Sequence, residues 1–107
     1  MNRRDRFLRL AEVAAAKSKS PVRVGAILVD GSRVVSIGVN DMTKTHPLYY
    51  PANLHAELDA IIAAPYVSGC DIYIVRLLKN GRLAPARPCR RCETLLKRYN
   101  VKRIVTS

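Results

Sequence analysis

Two Val/Ile-rich runs separated by an Asp-Gly pair lie near the start of the chain, and this hairpin constrains the rest. Residues 22–30 read VRVGAILVD and residues 33–39 read RVVSIGV. Short runs rich in β-branched residues favour strands, and Asp30-Gly31 supplies a tight turn between antiparallel partners. A third such run, DIYIVRLL, occupies residues 71–78, and a fourth, VKRIVT, residues 101–106. The stretches between them have helical spacing. Residues 54–64, LHAELDAIIAA, put Leu54, Leu58, Ile61 and Ile62 on one stripe. Residues 89–99, CRRCETLLKRY, do the same with Cys92, Leu95, Leu96 and Tyr99. Ahead of the hairpin, residues 5–17 align Phe7, Leu10, Ala11 and Ala14, and Ser18 to Pro21 end that helix.

The predicted order is α-β-β-α-β-α-β. That order predicts an α/β fold of three layers, a sheet sandwiched by helices. A mixed sheet of about four strands lies between helices. The last β-α-β unit predicts a right-handed crossover and a parallel pair. Asn80-Gly81 marks a turn, with Arg82 and Leu83 as a short further arm, and Asn100 suits the end of the last helix. Residues 40–53, NDMTKTHPLYYPAN, are the longest polar connection, and a loop of that length in a small domain is often functional. With 107 residues, no repeat and no low-complexity linker, the chain reads as one domain.

Composition narrows the function classes. No apolar run approaches the roughly 20 residues that cross a membrane. The first twenty residues mix arginines and Glu12 with alanines, which breaks the apolar stretch of a signal peptide. Three cysteines, Cys70, Cys89 and Cys92, make no disulfide framework and suit a reducing, cytoplasmic setting. Cys70, at a strand start, reads as a small buried residue. The 19 Lys and Arg against 8 Asp and Glu give a formal charge of +11, a surface that attracts polyanions.

The chemistry concentrates around RPCRRC, residues 87–92. Cys89 and Cys92 open a helix, whose positive dipole end suits the thiolate that either zinc binding or redox work requires. A redox pair would more naturally follow the first strand of a βαβ unit. A metal site needs a third donor, and His55 stands at the start of the preceding helix. Successive β-α units bring helix N-termini to one sheet edge, so His55, Cys89 and Cys92 can converge. Three protein donors leave the open position of a catalytic zinc site, whereas His46 or Cys70 as a fourth would close it into a structural one. Glu57, two residues after His55, is placed to move protons at the open position.

H-A-E on one helix followed by P-C-x-x-C on the next resembles the cytidine/deoxycytidylate deaminase superfamily, which includes nucleic-acid base deaminases. The resemblance runs from the first helix to the last strand and implies a single deaminase-like domain over residues 1–107. It implies that His55, Cys89 and Cys92 bind Zn2+ and that Glu57 shuttles protons during hydrolytic deamination at C4 of cytosine or C6 of adenine. Cytosine is favoured, in a nucleotide such as dCMP or in single-stranded nucleic acid. It further implies substrate contacts from Asn40, the Ala56 backbone amide and Pro88, while Tyr49 and Tyr50 are candidates to stack on a base. His46 reads as a solvated loop histidine. The alternative is a non-catalytic, zinc-stabilised nucleic-acid-binding module on the same scaffold. The sequence departs from the pattern in the LLKNGRLAPAR stretch and in Arg87, where many relatives carry Glu, and so is closer to short phage-type members. It also ends soon after the fourth strand, a C-terminal truncation that predicts an exposed sheet edge and a homo-oligomer.

Overall fold

A computed structural model describes residues 2–45 and 53–107. Helix α1 (Arg3–Ala16) leads into β1 (Arg23–Asp30) and β2 (Arg33–Val39), which pair antiparallel with Asp30 opposite Arg33. Strands β3 (Asp41–Thr45) and β4 (Asn53–Leu54) pair with each other outside the main sheet. Then come α2 (Ala56–Ala63), β5 (Asp71–Leu77), β6 (Leu83–Ala84), α3 (Arg90–Arg98) and β7 (Arg103–Thr106). The main sheet runs β2-β1-β5-β6, with β7 also on β5. Strand β5 is antiparallel to β1 along its whole length. Its other edge is divided: β7 lies parallel to residues 71–74 and β6 antiparallel to residues 76–77.

Strand alternation sorts the core into two halves. Ile27, Val29, Tyr73 and Val75 face α1, where they meet Phe7, Ala11, Ala14 and Ala15. Ala26, Leu28, Ile72 and Ile74 face the other way, onto Ala56, Ala60 and Ile61 of α2 and Leu96 of α3. The expected three-layer α/β sandwich is present, as is the parallel pair of the last β-α-β unit.

Two glycines set how closely the helices approach. A Cβ on Gly25 would lie 2.2 Å from the Ala11 carbonyl oxygen, and one on Gly38 would lie 2.1 Å from the Ala56 carbonyl oxygen. Both helices therefore rest their backbones directly on the sheet. Small residues fill that contact, which is why Leu10, expected on the buried stripe of α1, is 40% exposed. Ile62 and Tyr99, also expected inside, are partly exposed on the outer sides of α2 and at the end of α3.

Other differences follow from pairing. The sheet has five strands rather than about four, because Leu83 and Ala84 find partners in Leu77 and Arg76. The connection over 40–53, expected as a loop, contains β3 and the first residue of β4. Leu54 belongs to β4, so α2 starts two residues later than its periodicity suggests. Asn100 adopts φ 61° just past the Tyr99 cap, as expected of Asn after a helix. Cys70 is fully buried.

Candidate metal centre and cleft

Strands β2 and β5 run in the same direction with β1 between them, and each delivers the chain to the same edge of the sheet. Helices α2 and α3 start there. Helix α2 is fixed to β2 by Ser36, whose hydroxyl donates to the Ala60 carbonyl at 2.7 Å, and by Asp59, whose carboxylate accepts from the Val39 N–H at 2.9 Å. His55 is the N-cap residue of α2 but makes no side-chain cap bond. Cys89 is the N-cap of α3, and its sulfur accepts from the Cys92 N–H at 3.4 Å.

This brings the three expected donors together. His55 Nδ1 lies 3.6 Å from Cys89 Sγ and 3.5 Å from Cys92 Sγ. Tetrahedral zinc at ordinary bond lengths holds nitrogen and sulfur donors about 3.6 Å apart. All three donor atoms lie within 4.8 Å of one another, which positions them to bind one metal ion. Cys92 is buried, His55 half-buried and Cys89 exposed, which leaves one side of the centre open. A histidine turned onto both sulfurs is a donor that a redox pair would not need. Cys70 does not close the site: it adjoins the far end of the nine-residue α3, where the preceding Gly69 N–H bonds the Asn100 carbonyl. A helix of that length separates its ends by about 13 Å. His46 lies outside the described residues.

Glu57 is in the first turn of α2 and only 5% exposed. Burial pushes its carboxyl above the ordinary glutamate range. Its own backbone N–H, the charge of His55 and a hydrogen bond with Cys92 oppose that shift without cancelling it.

His55, Glu57 and Cys89 open onto a cleft of about 350 Å³, within the usual size of small-molecule sites. Its floor is a row across the sheet: Arg76 is paired with Val24, and the Asn40 N–H donates to the Val24 carbonyl at 3.2 Å. These residues lie one row beyond the Ala26–Ile74 core pair, at the level where both helices begin. The Asn40 side chain accepts from the Val24 N–H at 2.9 Å and donates to the Val22 carbonyl at 2.7 Å. Among the described residues, one amide hydrogen and one oxygen lone pair of Asn40 have no partner. Ala56 lines the cleft. Pro88 is buried, and the wall on either side of it is made by Arg87 and Cys89. Tyr49 and Tyr50 lie outside the described residues. Arg76 is the cleft residue that sequence reasoning passes over: DIYIVRLL reads as a strand and gives its arginine no task. The available signal was a cation within the apolar run that follows Asp71.

A helix-covered sheet with a His-Cys-Cys metal centre and a buried acid on one cleft defines a zinc-dependent hydrolase. The cytidine and deoxycytidylate deaminase zinc-binding region matches residues 1–107, and the chain belongs to that family of C–N bond hydrolases. It is 28% identical over 110 residues to an "Uncharacterized deaminase in luxG 3'region" of Aliivibrio fischeri, covering 92% of this chain and 68% of that protein. It is 27% identical over 124 residues to a "Probable deoxycytidylate deaminase" of Caenorhabditis elegans, covering 97% of this chain and 56% of the relative. In fold it is similar to the dCMP deaminase of cyanophage S-TIM5, with a TM-score of 0.73 at 20% identity, covering 96% of this chain and 80% of that one. Among the described residues, no helix is long and apolar enough to cross a membrane.

Proposed function

We propose that this protein converts cytosine to uracil by hydrolysis, in a nucleotide such as dCMP or in single-stranded nucleic acid. The observation that carries the reading is Glu57, a buried carboxyl on the wall of the cleft that also holds His55 and Cys89. Zinc, when bound there, supplies a Lewis acid that lowers the pKa of a coordinated water to about 7. Glu57 takes a proton from the attacking water and gives it to ring N3 as the new C–O bond forms at C4. It then carries the remaining hydroxyl proton to the amino group, the C4–N bond breaks, and ammonia leaves. The Ala56 backbone amide and the remaining valences of Asn40 orient the base or sugar, with Tyr49 and Tyr50 as stacking partners. Residues 1–107 act as one domain, in a reducing cytoplasm and as a self-associating chain.

The test is ammonia release by the zinc-loaded protein, offered dCMP, cytidine, adenosine and cytosine-containing single-stranded DNA and RNA in parallel. Release from a cytosine substrate is expected, and its loss in Glu57→Ala with zinc content and melting temperature preserved. Activity surviving in that variant removes Glu57 from the mechanism. Zinc-loaded protein silent on every substrate, with nucleic-acid binding unchanged by Glu57→Gln, favours a binding module instead.

A further inference from the structure

The floor of the cleft holds a cation, Arg76, whose Nε has no acceptor among the described residues. Arg76 follows Ile72 and Ile74 on the α2/α3 face of β5 and is paired on both sides, with Val24 and with Ala84. Its backbone is therefore fixed, and its side chain lines the cleft. Its Nε is buried and has no hydrogen-bond partner among the described residues. Arg76 is in no ion pair among the described residues; Arg3 and Arg103 pair instead with Asp71, and Lys97 with Glu93. Arg76 as a whole is half-buried, but a buried guanidinium N–H without an acceptor is costly to keep, and the group does not give up its charge. Arg87 brings a second guanidinium to the same cleft, and among the described residues Glu57 is the one carboxylate lining it. Nε–H and one Nη–H of an arginine form a planar fork that fits an oxyanion at two points.

We propose that Arg76 determines specificity by binding a phosphate of the substrate, with Arg87 as the second cation, so that the cleft takes a phosphate-bearing nucleotide in preference to a nucleoside. This rests on the deaminase reading for the identity of the base, and on the cleft alone for the anion. The shared chemistry is phosphate, either the monoester of a free nucleotide or a diester of a strand.

The experiment measures binding of 2′-deoxyuridine 5′-monophosphate and of 2′-deoxyuridine to the zinc-loaded full chain by calorimetry, in wild type, Arg76→Ala and Arg76→Lys. Wild type is expected to prefer the monophosphate by about tenfold or more, the worth of a charge-assisted hydrogen bond. Arg76→Ala should abolish the preference, read as the ratio of the two affinities in the same variant. Arg76→Lys, which keeps the charge but loses the fork, should retain part of it and serves as the reading if Arg76→Ala does not fold. A parallel comparison of kcat/KM on dCMP and on a single-cytosine oligodeoxynucleotide separates monoester from diester, since the Arg76 effect follows the phosphate that is bound. Equal binding of nucleotide and nucleoside by wild type, or a preference unchanged in both variants, overturns the proposal even if deamination is confirmed. A preference lost in Arg76→Ala, in a protein that releases no ammonia, sustains the phosphate site and sinks the deaminase reading.

Discussion

Glu57 sits where its neutral form is favoured, and this has a consequence for the metal-free protein. Its folded pKa is raised above the unfolded value. Between the two values the folded state holds more protons, so stability is lost as pH rises from the ordinary glutamate range through the raised value. Urea midpoints of metal-free wild type should therefore fall relative to Glu57→Gln across that window. Parallel curves would show that burial of the carboxyl is relieved. The two cysteines should behave differently from each other. Either Ser variant should weaken zinc binding by more than about a hundredfold, as read by competition with a chelator. Cys92→Ser should also cost the metal-free fold about 1–3 kcal/mol, because a hydroxyl replaces a sulfur that is 1% exposed. Cys89→Ser should leave metal-free stability within about 0.5 kcal/mol, since Ser is a good N-cap at an exposed position. The metal donors and Glu57 were legible in the sequence because each lies at or within three residues of a helix start, where local spacing fixes direction. Arg76 was not, because its meaning comes from what α2 and α3 leave uncovered.

Among the elements, α2 and α1 make nearly the same contact with the sheet on opposite faces, and only one of them carries the site. Gly38→Ala would press a methyl into the α2 backbone and Gly25→Ala into that of α1. Backbone cannot step aside as a side chain can, so each should destabilise the protein by about 1–3 kcal/mol. Gly38→Ala should in addition weaken zinc binding, because it displaces the helix whose first turn follows His55. Gly25→Ala should leave zinc affinity unchanged, as measured on folded protein below its melting temperature. Equal zinc affinities in the two variants would mean that α2 is positioned by its hydrogen bonds to Ser36 and Asp59 rather than by close packing. The main strands and all three helices were legible from periodicity. Strands β3, β4 and β6 were not, because strands of two to five residues carry too few side chains to show a period. Their existence depends on a partner elsewhere in the chain. Helix boundaries slipped for the same reason: Leu54 has the helical spacing of its neighbours, but pairing with Asp41 holds it in a strand.

For the whole molecule, a formal charge of +11 on 107 residues makes weak attraction to any polyanion a certainty of electrostatics rather than a function. Affinity for non-cytosine single-stranded DNA should fall on the order of tenfold or more between about 50 and 200 mM salt. KM for dCMP should change much less, because a phosphate held in a partly enclosed cleft is screened less than one on an open surface. A KM that follows the same salt slope would place the phosphate outside the cleft. What the sequence by itself determined is local: which residues prefer strand or helix, where helices begin, and which side chains have metal-binding chemistry. The H-A-E and P-C-x-x-C spacings belong to this level, because each spans only the start of one helix. Only the tertiary structure decided that β1 lies between the two strands feeding α2 and α3, and that Gly25 and Gly38 let helices rest on the sheet. The same structure lined up Asn40, Val24 and Arg76 as the floor of one cleft. Those outcomes depend on strand register and on how tightly layers pack, and both are set by contacts between residues far apart in the chain.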